Sequence, residues 1–116
     1  MTRKSSTAGS LRQAADRYLA DSFAGGTPPH VNEFAYLTGL SLSGLSRAFA
    51  AETGSTVGAY FKDARIRYAK ELLGTTTLSL TEIARTAGFG TRTTMFRSFK
   101  RAVGLTPDEY RSRHVR

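Results

Sequence analysis

Two arginines, Arg47 and Arg97, stand at equivalent positions of a stretch that occurs twice in this chain. The first copy begins at Glu33 and reads EFAYLTGLSLSGLSRAFAAETGSTVGAY; the second begins at Glu82 and reads EIARTAGFGTRTTMFRSFKRAVGLTPDEY. The copies agree at Glu33/Glu82, Ala35/Ala84 and Gly39/Gly88. After one extra residue in the second copy's turn they agree again at Arg47/Arg97, Phe49/Phe99, Gly54/Gly104, Thr56/Thr106 and Tyr60/Tyr110. A guanidinium presents two parallel donors that match the two acceptors of guanine in a major groove, a pairing worth about 1–3 kcal/mol of discrimination. Two matched devices in one basic chain suit a long, repetitive polyanion, and double-stranded DNA is the foremost of these.

Other chemistries lack their residues. The chain has no cysteine, hence no disulfide, thiolate nucleophile or zinc-finger site. His30 and His114 are its only histidines, and neither sits beside a carboxylate cluster. No Ser-His-Asp arrangement, glycine-rich nucleotide loop or paired-carboxylate signature is visible. The expectation is a protein that is not an enzyme and holds neither metal nor cofactor.

The charge agrees with a polyanionic partner. Seventeen Lys and Arg face nine Asp and Glu, a net of +8 among 116 residues. Residues 1–56 hold five bases and four acids, a net of +1, whereas residues 57–116 hold twelve and five, a net of +7. Such a surface attracts nucleic acid and speeds encounter with it. Charge alone is shared by binders of DNA, of RNA and of anionic membranes. No apolar run approaches the length of a membrane span. The opening MTRKSSTAGS lacks the apolar core of a secretory signal. Residues 1–9 are expected to form a disordered tail, and the protein to be cytoplasmic.

Helices must position the repeated residues, because helix signals are frequent and strand signals nearly absent. Ser10 is a plausible cap for a first helix over 11–23, whose Leu11, Ala14, Ala15, Tyr18, Leu19 and Phe23 share a face. Gly25-Gly26-Thr27-Pro28-Pro29 breaks it. Asn32 is the expected cap of a short helix ending at Gly39, and Ser41 of one over 42–53 ending at Gly54. Thr56 is the expected cap of a longer helix over 57–73, closed by Gly74. Ser79 with Glu82 forms a capping box for a helix ending near Gly88, and Thr91 or Gly90 opens the next, which stops at Gly104. Thr106, Pro107 and Glu109 supply cap, first-turn proline and box acid for the last. The fold class is therefore all-α, with seven helices. The second and third make one helix-turn-helix, the fifth and sixth another, and the fourth joins them. Seventeen residues at about 1.5 Å each give a connector of roughly 25 Å, against about 34 Å between successive major-groove windows on one side of B-DNA.

The segments GLSLSGLSRAFAAETG, YFKDARIRYAKELL and LTEIARTAGFGTRTTMFRSFKRAVGLTPDEYR together resemble the DNA-binding domain of AraC/XylS-family bacterial transcription regulators. The similarity covers about residues 11–113. Its most specific part is the second motif: EIA, then GF, FRSFKR and G-x-TP-x-x-YR. The resemblance implies a 10–113 domain made of a first lobe over 10–56, a linker helix over 57–74 and a second lobe over 75–113. It implies that the third helix presents Ser43, Ser46 and Arg47 to bases, and the sixth Arg92, Thr93, Phe96 and Arg97. Chemistry supports the arginines independently, and Phe96 can meet a thymine methyl. The sequence departs from the family at Ser43 and Gly44, which are often bulkier or polar, so the first head is expected to read few bases. Met95 stands where an aromatic or leucine is usual, and Phe96 where a polar residue is. A one-residue slip that buries Phe96 and exposes Met95 would remove Phe96 from the base-reading face.

Each residue also has a blander reading. Arg47, Arg92 and Arg97 can be solvated helix residues, and Ser43, Ser46 and Thr93 can serve as caps. Lys62, Arg65, Arg67, Lys70, Lys100, Arg101, Arg111 and Arg113 form the pool from which phosphate contacts come. Lys100 and Arg101, which follow a reading helix, are preferred. Free N–H groups at helix starts near Asn32 and Thr81 are the other expected phosphate contacts. Phe34, Leu37, Leu40, Leu45, Phe49, Tyr60, Ile83, Phe89, Phe99 and Tyr110 are expected in the core.

The expected function is a sequence-specific regulator binding double-stranded DNA as a monomer, bending it if the connector is stiff. RNA polymerase is a further expected partner, and a membrane is not. About ten residues precede the first helix. The chain therefore resembles the family's short type, or an excised domain, and no small-molecule effector is expected on it. The rival expectations are a non-specific architectural binder and an interaction module for RNA polymerase or another regulator.

Overall fold

The structure, a computed structural model, describes residues 10–114. Seven helices account for its regular structure, with no strand among the described residues: α1 Ser10–Ala24, α2 Val31–Thr38, α3 Leu42–Thr53, α4 Val57–Thr75, α5 Leu80–Thr86, α6 Arg92–Val103 and α7 Pro107–His114. The all-α expectation holds. The tail expected over 1–9 and the cap expected from the Ser10 side chain lie outside the described residues. Contacts divide the chain into two units; the division inside α4 falls between Lys62 and Asp63, and the short Gly26–Pro28 stretch groups with the second unit.

In the first unit α3 packs against both α1 and α2. Ala15, Leu19, Phe34, Leu45, Phe49, Val57 and Phe61 are buried. Tyr18, Phe34 and Phe61 form an aromatic trio with centroids 5.5–5.9 Å apart. The Tyr18 hydroxyl bonds to the Glu33 carboxylate and accepts the His30 N–H at 3.0 Å. Burial, aided by Glu33, pushes this phenol above its ordinary value. Tyr60 donates to Asp16 Oδ1 at 2.6 Å, tying the start of α4 to α1.

The second unit repeats the plan: α6 packs against α5 and α7. Its core joins Ile66, Ala69, Leu72 and Leu73 of α4 to Leu80, Ile83, Ala84, Ala87, Met95 and Phe99, with Tyr68, Leu78, Phe89 and Tyr110 packed around them. Arg111 reaches back to donate to the carbonyls of Leu73, Leu78 and Thr76 at 3.2, 2.8 and 3.2 Å. It thus satisfies carbonyls at and beyond the end of α4 that no helix turn can reach.

Several local expectations need correction. Asn32 is not the cap of α2. The cap position is His30, without a side-chain bond, and Asn32 lies one residue inside the helix. The start is pinned instead by Tyr18, which takes the His30 N–H. Gly74 does not close α4, which runs on to Thr75; the Thr75 and Thr76 hydroxyls bond back to Glu71 O and Leu72 O, both at 2.7 Å. Leu37 and Leu40 are not core residues: they are 64% and 39% exposed. Helical register sends Phe34 and Ala35 inward, leaving Leu37 on the outer side of a helix of only eight residues.

Candidate nucleic-acid interface

The two second helices begin and end alike. Ser41 caps α3 by accepting the Gly44 N–H at 3.0 Å, and Thr91 caps α6 by accepting the Thr94 N–H at 3.1 Å. Gly54 and Gly104 end them in the left-handed conformation, at φ 77° and 87°, which only glycine adopts without strain. The extra residue in the second turn is Gly90, itself at φ 87°. It lets the chain cross from α5 to Thr91 while Phe89 tucks against the core.

Each helix then buries one stripe and exposes the other. In α3 Leu45 and Phe49 point inward; in α6 Met95 and Phe99 do. The outer positions follow from that register. Ser43, Ser46 and Arg47 are exposed on α3, and Arg92, Thr93, Phe96 and Arg97 on α6. Their spacing, i, i+3 and i+4 in α3 and i, i+1, i+4 and i+5 in α6, places each set on one face. The slip considered for Met95 and Phe96 does not occur: Met95 is fully buried and Phe96 is 44% exposed. Arg92, Thr93, Phe96, Arg97, Lys100 and Arg101 line one open depression of about 770 Å³ along α6.

Electrostatics separates the two faces. The α6 segment holds Arg92, Arg97, Lys100 and Arg101 and no acid. The α3 segment holds Arg47 and Glu52. Glu52 faces α1, where its carboxylate accepts the Leu11 and Arg12 N–H groups at 3.2 and 2.9 Å. It thereby serves the positive end of another helix.

The remaining expected contacts are exposed but differently occupied. Lys100 Nζ donates to Gly104 O at 3.4 Å, and with Arg101 it complements the negative end of α6. Asn32 lies exposed in the first turn of α2 beside Glu33, and Thr81 in that of α5 beside Glu82. The capping box of α5 is complete: Ser79 Oγ takes the Glu82 N–H at 3.1 Å and Glu82 takes the Ser79 N–H at 3.0 Å. These bonds hold the Glu82 carboxyl below its ordinary range. Arg111 leaves the phosphate-contact pool, since its guanidinium is engaged with the three carbonyls. Sequence reasoning passed over Leu42, which opens the outer face of α3 at 49% exposure, and Arg85, exposed on α5. The repeat itself could have found both, since aligning the copies sets Leu42 against Arg92 and Tyr36 against Arg85.

Among the described residues no group of His, Asp and Glu could hold a metal ion, and no helix is long and apolar enough to cross a membrane.

A family profile for a helix-turn-helix domain matches residues 34–113. The HTH-type transcriptional regulator Rv1931c of Mycobacterium tuberculosis is 39% identical over 81 residues, which are 70% of this chain and 31% of that protein. The chain thus spans under a third of the length of this curated relative. The C-terminal domain of AraT, a response regulator from Geobacillus stearothermophilus, is similar with a TM-score of 0.81 and 28% identity, over 97% of this chain and 91% of that one. The DNA-binding domain of AdpA, a global transcriptional factor solved in complex with a target DNA, matches with a TM-score of 0.78 and 25% identity, over 89% and 90%.

Proposed function

Because the chain belongs to the helix-turn-helix domain family of AraC type, we propose that it is a sequence-specific regulator of transcription that binds double-stranded DNA as a monomer. Helices α3 and α6 enter successive segments of the major groove. Ser43, Ser46 and Arg47 of the one, and Arg92, Thr93, Phe96 and Arg97 of the other, face base edges. Lys100 and Arg101 contact phosphates. Asn32 and Thr81 contribute through their side chains, because Glu33 and Glu82 make those helix ends poor places for a bare anion.

One observation carries this reading. Two arginines fifty residues apart in sequence occupy the same register on the outer faces of two identically capped helices. A general polyanion binder needs the charge of α6 but not the duplicated register. Family membership also makes this a regulator's domain and not an enzyme. A protein-contact role, with RNA polymerase or another regulator as partner, has its own support in Tyr36 and Leu37, which are 84% and 64% exposed on α2.

Selection of binding sites from random duplexes at a fixed salt concentration tests the proposal. An enriched asymmetric site of about two helical turns is expected. With about six phosphates neutralised, log K should fall against log salt with a slope near −5. Equal competition by random DNA at matched salt would leave only the architectural reading.

A further inference from the structure

The two heads differ by a consistent exchange. Where the second carries Arg85, Arg92, Lys100 and Arg101, the aligned positions of the first carry Tyr36, Leu42, Ala50 and Ala51. All eight are exposed. Only the Arg47/Arg97 pair keeps its cation. The exchange is not a matter of burial, since both sets face solvent. Leu42 is the clearest case. It occupies the first helical position of α3 directly after the Ser41 cap, at 49% exposure. Its counterpart Arg92 lines one surface with Thr93, Phe96 and Arg97. By the same register Leu42 shares a face with Ser43, Ser46 and Arg47.

An isobutyl group at the base-facing start of such a helix has one good partner in a major groove, the 5-methyl group of thymine. It cannot neutralise a phosphate. We infer that the first head recognises thymine 5-methyl groups through Leu42, while the second supplies most of the charge that holds the duplex. This rests on the DNA-binding function proposed above. It assigns to the first head a base class that charge-based contacts do not provide, and it makes the uneven charge of the chain a division of labour.

The test replaces each thymine of the selected site in turn with deoxyuridine, which removes only the 5-methyl. Binding is measured for the wild type, Leu42→Ala, Leu42→Met and Phe96→Ala, with folding checked by thermal melting. At one or two thymines confined to one half of the site, deoxyuridine should weaken the wild type about fourfold, the effect of one apolar carbon. Leu42→Ala should be weaker on thymine DNA and indifferent to deoxyuridine at those positions. Leu42→Met should remain sensitive, and Phe96→Ala should keep the same Leu42-dependent positions. The salt slope should be unchanged in Leu42→Ala and shallower in Lys100→Ala. Full deoxyuridine sensitivity in Leu42→Ala at every thymine would overturn the inference while leaving specific binding intact. So would a selected site with no preferred thymine in either half. No preference for the selected site over random DNA would instead remove the functional proposal, and this inference with it.

Discussion

Phe99 meets Tyr110 edge to face, with ring centroids 5.4 Å apart and planes at 77°. The repeat-related pair Phe49 and Tyr60 does the same at 5.1 Å and 68°. In both units this contact fixes the second helix of the helix-turn-helix, α3 or α6, to the helix that follows it. Phe49 and Phe99 are fully buried, so Phe99→Ala should cost about 3–5 kcal/mol and Tyr110→Leu about 0.5–1.5 kcal/mol. Thermal or urea unfolding monitored by circular dichroism measures both. A loss below about 1 kcal/mol for Phe99→Ala would contradict the packing described.

Arg111 is a structural cation. Arg111→Ala removes charge-assisted hydrogen bonds to three carbonyls and should destabilise the protein by about 1.5–3 kcal/mol. Arg111→Lys should recover little of it, because an ammonium cannot reproduce the fork. For either folded variant, the salt slope of DNA binding should match the wild type.

Arg97→Ala should weaken binding at the selected site by about 1–3 kcal/mol and relax the preference at one base position. Lys100→Ala should weaken selected and random duplexes alike and make the salt slope shallower by about one unit. Equal losses on both duplexes for Arg97→Ala would reassign it to the backbone.

Acid should loosen the starts of α5 and α7 first. The Glu82 and Glu109 carboxyls accept the Ser79 and Thr106 N–H groups at 3.0 and 2.8 Å, and these bonds hold both below the ordinary glutamate value of 4.5. A carboxyl lowered on folding favours the folded state above its unfolded value, and that contribution is lost as pH falls through the lowered one. Stability should therefore decline with acid below 4.5, and the decline should be smaller in the Glu82→Gln, Glu109→Gln double variant. Thermal melts across that interval decide it.

If α4 stays stiff in the complex, the duplex should bend by tens of degrees, at a cost on the order of 1–6 kcal/mol. A circular-permutation gel shift should show position-dependent mobility. Uniform mobility in a high-affinity complex would argue against a bend.

Local signals carried most of the helix boundaries. Ser41, Thr56, Ser79, Thr91 and Thr106 announce their caps because each hydroxyl accepts the amide N–H three residues on. Gly54 and Gly104 announce stops because their backbone is left-handed. Gly74 misled for the complementary reason: it lies within a helix that the Thr75 and Thr76 hydroxyls finish. The start of α2 is set by Tyr18, twelve residues from His30, and the roles of Glu52 and Arg111 span 41 and up to 38 residues. Such contacts leave no trace in local pattern. The outer face of α6 was legible because burying Met95 and Phe99 fixes where Arg92, Thr93, Phe96 and Arg97 must point. Leu42 is legible only from the alignment of the two copies, because hydrophobicity alone does not tell an outward leucine from an inward one.

Where α4 gives its side chains decides how this molecule can be dissected. Val57 and Phe61 belong to the first unit, and Ile66, Ala69, Leu72 and Leu73 complete the core of the second. A peptide cut in the loop after Thr75 would strand α5–α7 without one wall of their interior. Any autonomous piece of the carboxyl-terminal half must begin upstream, near Asp63, so the loop between α4 and α5 is not a seam at which cassettes can be exchanged.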